Sequence, residues 1–200
     1  MIEAIHEWDG RWKPPFPPPG ASVVDDKIQP VIGPYDEPPV VCRDFDPRAA
    51  EIARQVAEFI SRYLPSVWAE HVGSTAVPGC GGRGIVDLLI ACPAGDVEKV
   101  DLQLGQLGFR QGGEALFPPH PPAYRGVWTD TGEAFLLHVH LLPAGTVEVD
   151  SIRFLRACLR ADVELARAYV QHKRAIISSG VSEAAEYCRQ KAAFLKMVLG

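Results

Sequence analysis

Two segments of the sequence combine residue types that are used in phosphate and metal chemistry. In HVGSTAVPGCGGRGIVDLLIA (residues 71–91), a glycine-rich loop runs into an apolar stretch that contains one carboxylate, Asp87. In FLLHVHLL (residues 135–142), His138 and His140 are two positions apart. A carboxylate in apolar surroundings is costly unless a positive or hydrogen-bonding group meets it. The pattern therefore predicts a partner for Asp87, and these histidines and the nearby cations are the candidates.

The loop that precedes Asp87 predicts a binding site for phosphate. Glycines such as Gly73 let the backbone approach a ligand and expose its N–H groups, and Ser74 and Thr75 add hydroxyl donors. Arg83, at the end of the loop, adds a positive charge. The alternative is a glycine-rich turn that has no role beyond its tight geometry.

Strand periodicity predicts where the acid and the histidines point. In the predicted strand GIVDLLIA, Asp87 shares a face with Ile85 and Leu89, and in the second strand His138 and His140 share a face. If the two strands are neighbours, the three side chains converge, and the histidines can then bind a divalent metal ion or contact phosphate. The alternatives are an Asp87 satisfied by backbone N–H groups or by Arg83, and histidines on a solvated outer face.

Two lysines in the C-terminal third are further candidates for contact with phosphate. Lys173 follows Tyr169 by four residues, and Lys191 follows Tyr187 by four, so both lysines lie on or beside the apolar side of their predicted helices. Each ammonium could reach a bound phosphate at the edge of the sheet. The alternative is that the methylenes cover the core while the ammonium lies in water.

The elements that must position these residues form an α/β or α+β domain. Residues 1–39 are a proline-rich arm, and residues 40–200 are the folded domain. A short strand near Val40 leads to a helix capped by Asp46, with Pro47 as its first residue. The other predicted elements are the strand 67–72, the strand 84–91, a helix over 96–107, a hairpin that turns at Asp130-Thr131-Gly132, and helices over 148–160, 162–177 and from Ser182 onward.

Composition restricts the classes of function and location. The net charge of -5 argues against general nucleic-acid binding, which needs a clustered basic surface. Five widely spaced cysteines predict free thiols, and with no apolar run long enough for a membrane we expect a soluble, cytoplasmic protein. The arm, with Trp8, Trp12 and Phe16, is expected to pack on the domain; the alternatives are a disordered leader and a polyproline ligand for a protein partner.

Several of these motifs resemble the GrpB family. HVGSTAVPG, followed by a basic residue, an apolar pair and Asp87, is similar to the family signature HVGSTSVPGL-x-x-KPIID. FDPRAAEIARQVAEFI, HVHL and EYCRQKAAFLKMVLG are similar to further family segments in the same order, over about residues 40–199. The resemblance implies a nucleotidyltransferase-like fold, with a small mixed β-sheet flanked by helices and a helical C-terminus. It also implies a Gly-Ser that holds a nucleoside triphosphate and acids that bind Mg²⁺.

The sequence departs from that superfamily pattern at the metal site. Leu89 stands where the second acid of an Asp-x-Asp pair is expected, and the histidine strand carries no acid. Mg²⁺ prefers oxygen ligands, whereas one aspartate with two histidines suits Mn²⁺ or Zn²⁺ better. The main hypothesis is metal-dependent nucleotidyl transfer to a hydroxyl of a small molecule or protein. The alternatives are a non-catalytic module that binds nucleotides or phosphometabolites, a scaffold recruited through the arm, and metal-dependent hydrolysis.

Overall fold

A mixed five-stranded sheet is the centre of the fold. The computed structural model describes residues 32–36, 38–113 and 123–199. The strand order is β1-β2-β5-β4-β3, in which β2 and β5 are parallel and all other pairs are antiparallel. The strands are β1 (Ala69–Val72), β2 (Val86–Cys92), β3 (Arg110–Gly113), β4 (Ala123–Asp130) and β5 (Glu133–Pro143).

Helices cover both faces of the sheet. They are α1 (Ala49–Tyr63), α2 (Val97–Gln106), α3 (Val147–Ala161), α4 (Val163–Ser178) and α5 (Ala184–Leu199). One face of β2, with Leu88 and Ile90, packs in the core formed with α1 and α2. The opposite face, with Leu89, packs against α3. The predicted small mixed sheet with flanking helices and a helical C-terminal part is confirmed.

Helix α1 forms where the apolar spacing predicts it, but it begins two residues later than expected. Ile52, Val56 and Ile60 are at most 1% exposed, which fixes the buried face of the helix. The carboxylate of Asp46 accepts a hydrogen bond from the backbone N–H of Arg48 at 2.9 Å. This bond closes a turn through Pro47, and the helix begins at Ala49.

The hairpin that carries the histidines is confirmed, and its turn explains its register. Thr131 and Gly132 have φ values of 47° and 85°. Two consecutive left-handed residues are typical of the tight turns whose twist matches that of paired strands. The turn thereby fixes the pairing of β5 with β4 and, with it, the faces to which the histidines point.

The structure differs from the prediction at two places near the sheet. The short strand expected near Val40 is reduced to one bridge, in which Arg43 and Gly82 exchange both backbone hydrogen bonds. The other difference is a strand that has no predicted counterpart: Arg110–Gly113, within the stretch GFRQGG, forms the edge strand β3 with an irregular register against β4. An edge strand needs only main-chain pairing, so it can form without an apolar pattern.

Other expectations concern the termini, the thiols and the membrane. Residues 1–31, including Trp8, Trp12 and Phe16, lie outside the described residues, so their packing stays a prediction. All five cysteines are unpaired, as predicted. Among the described helices, none combines the length and the apolar character that crossing a bilayer requires.

Candidate metal- and phosphate-binding site

The register between β2 and β5 brings the predicted acid and histidines together. Asp87 lies opposite His138, and Leu89 lies opposite His140, in the parallel ladder. Residues directly opposite each other point to the same side of a sheet, so the three polar side chains share the face that α3 covers. The prediction that they converge is confirmed.

The three side chains are close enough to surround one cation. The Asp87 Oδ1 atom lies 3.2 Å from His140 Nε2 and 3.8 Å from His138 Nδ1. One ligand atom from each residue lies within 4.8 Å of the others. Exposure of the side chains is 15% for Asp87, 1% for His138 and 5% for His140. One carboxylate oxygen and two imidazole nitrogens are a donor set that fits Zn²⁺ or Mn²⁺.

Burial and charge set the protonation of this cluster. Burial alone would raise the pKa of Asp87, but the hydrogen bond with His140 and the electrostatic interactions with His140, His138 and Lys191 outweigh burial and lower it. Burial is the main reason why the pKa of His138 falls to about 3. At neutral pH the cluster therefore holds a carboxylate beside a neutral His138 imidazole. Within the described part of the chain, His138 Nε2 is buried without a hydrogen-bond partner.

Gly73 allows the loop backbone to touch the carboxylate. Its φ is 71° and its ψ is -167°, a combination that is essentially restricted to glycine. A Cβ atom on this residue would lie 2.3 Å from Asp87 Oδ2. The chain then makes the short 3-10 turn Ser74–Ala76. One carboxylate oxygen thus faces the loop, and the other faces the histidines.

Lys173 ties the loop to helix α4. Its Nζ donates to Ser74 Oγ at 2.8 Å, to the carbonyl of Gly81 and to Cys80 Sγ at 3.6 Å. The residue is 1% exposed, so the interpretation that its ammonium lies in water is wrong. Burial lowers the pKa of Lys173, as does the charge of Lys191, while Cys80 and Cys42 oppose the shift. A direct contact between Lys173 and a ligand stays a prediction.

Thr75 stabilises the loop from the interior. Its hydroxyl donates to the carbonyl of Ile85 at 3.3 Å and lies 3.0 Å from His71 Nε2. Burial is the main reason why the pKa of His71 falls to about 4, against an opposing effect of Asp87. His71 is therefore neutral at pH 7. Because the Thr75 hydrogen is used by Ile85, His71 Nε2 is the donor to the hydroxyl oxygen.

We expect the free energy of unfolding to decrease as the pH falls from about 6.5 toward 4. In this pH range His71 is protonated in the unfolded chain and neutral in the folded chain, so acid favours the unfolded state. The stability that this difference gives at neutral pH is therefore lost on acidification. The slope from this residue is at most about 1.4 kcal/mol per pH unit. Urea unfolding at pH 7, 5.5 and 4.5 measures it. His71→Gln, whose amide can still donate to Thr75, should reduce the slope and leave the part that the buried His138 contributes; identical slopes in both proteins would contradict the assignment.

Lys191 and Arg83 supply positive charge near the loop. The Lys191 Nζ atom lies 5.8 Å, and the Arg83 Cζ atom 6.0 Å, from the ring centroid of Tyr187. That ring is 2% exposed and provides a fixed aromatic surface for both cations. Lys191 also lies close enough to Asp87 to lower the pKa of its carboxyl. Both predicted cations therefore border the same site as Ser74 and Asp87.

Comparison with models of known protein families shows to which family this chain belongs. The model of the GrpB protein family matches residues 39–200, which is most of the chain. This chain belongs to the GrpB family. The match includes the loop, Asp87, both histidines and both lysines.

Two relatives of known sequence cover most of this chain. A UPF0157 protein of Pseudomonas aeruginosa is 30% identical over 142 residues, which are 68% of this chain and 56% of that protein. The chain thus spans little more than half the length of that relative. A UPF0157 protein of Streptomyces coelicolor is 28% identical over 162 residues, covering 80% of this chain and 83% of that protein.

Solved structures place the fold beside that of another GrpB protein. The conserved protein GrpB from Enterococcus faecalis superposes with a TM-score of 0.56 and 19% identity, over 80% of this chain and all of that chain. A cytoplasmic RNA terminal U-transferase superposes with a TM-score of 0.40 and 13% identity, over 66% of this chain and 43% of that chain. The similarity to the U-transferase is too low to support any conclusion about activity.

Arginines of α3 border the site and were missed by sequence reasoning. Arg156 donates to the carbonyl of His71 at 2.6 Å and to Glu70 at 3.2 Å. Arg160 donates to the carbonyl of Ala76 at 2.8 Å. Arg153 pairs with Glu70 as well. Their spacing of three and four residues along one helix was a signal that this face of α3 contacts polar groups.

Residues 32–36, which precede the GrpB match, contact strand β4 and the imidazole of His138. Gly33 exchanges two backbone hydrogen bonds with Val127 of β4. The Tyr35 ring then lies nearly parallel to the His138 imidazole, at 17° and 6.4 Å between centroids. Arg125, opposite His138 in the sheet, lies 5.7 Å from the same ring. The composition of the proline-rich arm gave no signal for this contact.

Proposed function

We propose that this GrpB protein binds a nucleotide, or another small phosphate ester, together with one divalent metal ion, and that nucleotidyl transfer to a hydroxyl group is its reaction. The position of Asp87 carries the proposal. One of its oxygens lies against the glycine of a Gly-Ser loop, and the other lies beside two imidazoles. A ligand at this carboxylate would meet the loop, the metal ligands and Lys191 together.

The proposed metal ligands are Asp87, His138 and His140. A metal ion held by them would supply positive charge next to a bound phosphate. The next residue on the same face of β2 is the buried Leu89, so this strand offers no second acid beside Asp87. Glu70 lies opposite Leu89 on β1, but its carboxylate is bonded to Arg153 and Arg156. The donor set therefore favours Mn²⁺ or Zn²⁺ over Mg²⁺.

The proposed phosphate contacts are the loop and the cations around it. Ser74 and the backbone of Gly73 lie beside Asp87, and Arg83 and Lys191 border the same hollow. In this arrangement Lys173 and Thr75 act mainly by holding the loop, because both polar groups already have partners within it or next to it. The cations would offset the charge of a di- or triphosphate, and Asp87 would remain ionised to hold the metal.

A second candidate function is a binding module that has no transferase activity. The observation that favours it is the single carboxylate, since a site with one metal lacks part of the transition-state stabilisation of a two-metal site. Loss of several kcal/mol of stabilisation would reduce the rate by about 10³ or more. The two functions share the same ligand and differ in turnover.

Thermal unfolding with added ligands tests the proposal. We expect each effective nucleoside triphosphate, at about 100 times its Kd, to stabilise the protein by about 2.7 kcal/mol, which corresponds to a rise in Tm of about 5–10 °C. The rise should need Mn²⁺ or Zn²⁺ and disappear with a chelator. Release of pyrophosphate in the presence of hydroxyl acceptors then separates transferase from binding module.

Three outcomes distinguish the candidates. Stabilisation that depends on metal, with pyrophosphate release, supports nucleotidyl transfer. Stabilisation by nucleotide that is indifferent to metal favours the binding module and removes the metal from the proposal. No stabilisation by any nucleotide or by inorganic pyrophosphate, with or without metal, would overturn both.

A further inference from the structure

Two hollows of opposite character meet at the Asp87 carboxylate. Ser74, Asp87 and Lys191 border both of them. One hollow, which we call the polar hollow, continues toward Arg83, His138 and Tyr187. The other, which we call the apolar hollow, continues between helices α3, α4 and α5. Its remaining walls are mainly Ile152, Leu155, Leu159, Tyr169 and Leu195.

The walls of the apolar hollow offer few partners for water. Ile152, Leu159 and Leu195 are at most 4% exposed, and Leu155 is 9% exposed. Tyr169, which is 4% exposed, adds an aromatic side chain. A space lined in this way gains from an apolar group, because bound water needs two to four polar partners.

The polar groups of the apolar hollow include two cations. Arg156 of α3 and Lys191 of α5 border it beside Gly73 and Ser74. Arg156 is paired with Glu70. Lys191 is a further positive charge, close enough to Asp87 to lower the pKa of its carboxyl. An anionic group placed between the two hollows would therefore face Lys191 and Arg156, and the proposed metal ion would offset the negative charge of the Asp87 carboxylate. An apolar group attached to this anion would lie between the helices that form the apolar hollow.

We propose that the ligand of this site is amphiphilic: a phosphate ester whose anionic group lies by Ser74 and Lys191 and whose uncharged substituent, a short alkyl group, fills the apolar hollow of about 40 Å³. This inference rests on the proposed phosphate binding and narrows its ligand class. It requires the apolar group to lie within a few bonds of the phosphate, since Ser74, Asp87 and Lys191 border both hollows.

A series of alkyl phosphates tests this inference. Calorimetric titration of the full chain, with Mn²⁺ present throughout, would compare methyl, propyl and hexyl phosphate and inorganic pyrophosphate. We expect affinity to rise about fourfold for each added methylene until the hollow is filled. Hexyltrimethylammonium, which has the same tail and the opposite charge, controls for non-specific apolar binding and should not bind.

Two variants separate the contributions of the hollows. Leu155→Phe adds volume at the rim of the apolar hollow, so it should flatten the chain-length dependence and leave the affinity for methyl phosphate unchanged. Lys191→Met should weaken every phosphate by a similar factor, about tenfold, and preserve the chain-length dependence. If Leu155→Phe fails to fold, the dependence in the unchanged protein still decides.

The outcomes for the ligand class and for the proposed function differ. Equal affinity for methyl, propyl and hexyl phosphate would overturn the amphiphilic ligand while phosphate binding stands. A chain-length dependence that Leu155→Phe leaves intact would place the tail elsewhere and overturn it too. Absence of binding by every phosphate, including pyrophosphate, would overturn the proposed function itself.

Discussion

Gly73→Ala is expected to destabilise the protein by about 2–5 kcal/mol and to abolish ligand binding at the loop. The new methyl group would lie 2.3 Å from Asp87 Oδ2 and 2.9 Å from its Cγ, so the carboxylate or the loop must move. The backbone conformation of Gly73 adds a cost that alanine pays and glycine does not. Urea unfolding gives the change in free energy, and nucleotide titration gives the change in affinity.

Gly79→Ala is the matched control for Gly73→Ala. Gly79 also has a positive φ, 75°, but no atom lies within 4 Å of the position that its Cβ would take. Gly79→Ala should therefore cost about 1–2 kcal/mol from backbone strain alone. If Gly73→Ala is no more damaging than Gly79→Ala, the contact between loop and carboxylate does not stabilise the site.

Asp87→Asn should weaken metal binding at least about 100-fold, since loss of groups that only support metal ligands already costs 10- to 100-fold. Asparagine has nearly the same shape, and its amide oxygen can still accept from His140, so the fold should be retained. The metal-dependent part of nucleotide stabilisation should disappear with it. Titration with Mn²⁺ and Zn²⁺, followed by thermal unfolding with nucleotide, measures both effects.

Asp96→Asn controls for the loss of one negative charge. Asp96 is exposed, at the residue before helix α2, and does not border the site. It should change neither metal affinity nor nucleotide stabilisation. Metal binding by Asp87→Asn that equals that of the unchanged protein would remove Asp87 from the ligand set and, with it, the metal from the proposed function.

The polar core of the candidate site could be predicted because it depends on local periodicity. Alternation along a strand places His138 and His140 on one side, and the apolar run around Asp87 indicates an interior strand. What periodicity cannot give is which strands are neighbours. The parallel pairing of β2 with β5 that joins the two segments is a long-range contact between residues about 50 apart in the chain.

The contacts that sequence reasoning missed are long-range as well. Lys173 was expected in water or at a ligand, but its three bonds to the loop cross about 90 residues of sequence. Arg156 reaches the backbone of His71 in the same way. The ammonium of a lysine on the apolar side of a helix can extend into water or be buried against acceptors. Only the position of the loop carbonyls decides between these two arrangements.

The residues just before the GrpB match cover a part of the sheet that residues 39–200 alone would leave exposed. Ile32 is 2% exposed, and it fills a notch over Gly126, where even a methyl group would lie 2.2 Å from its Cγ2 atom. A truncation that starts at residue 39 would empty this notch and uncover the imidazole of His138. Binding measured on such a shortened protein would describe a wider cleft than the one that forms when residues 32–36 are present.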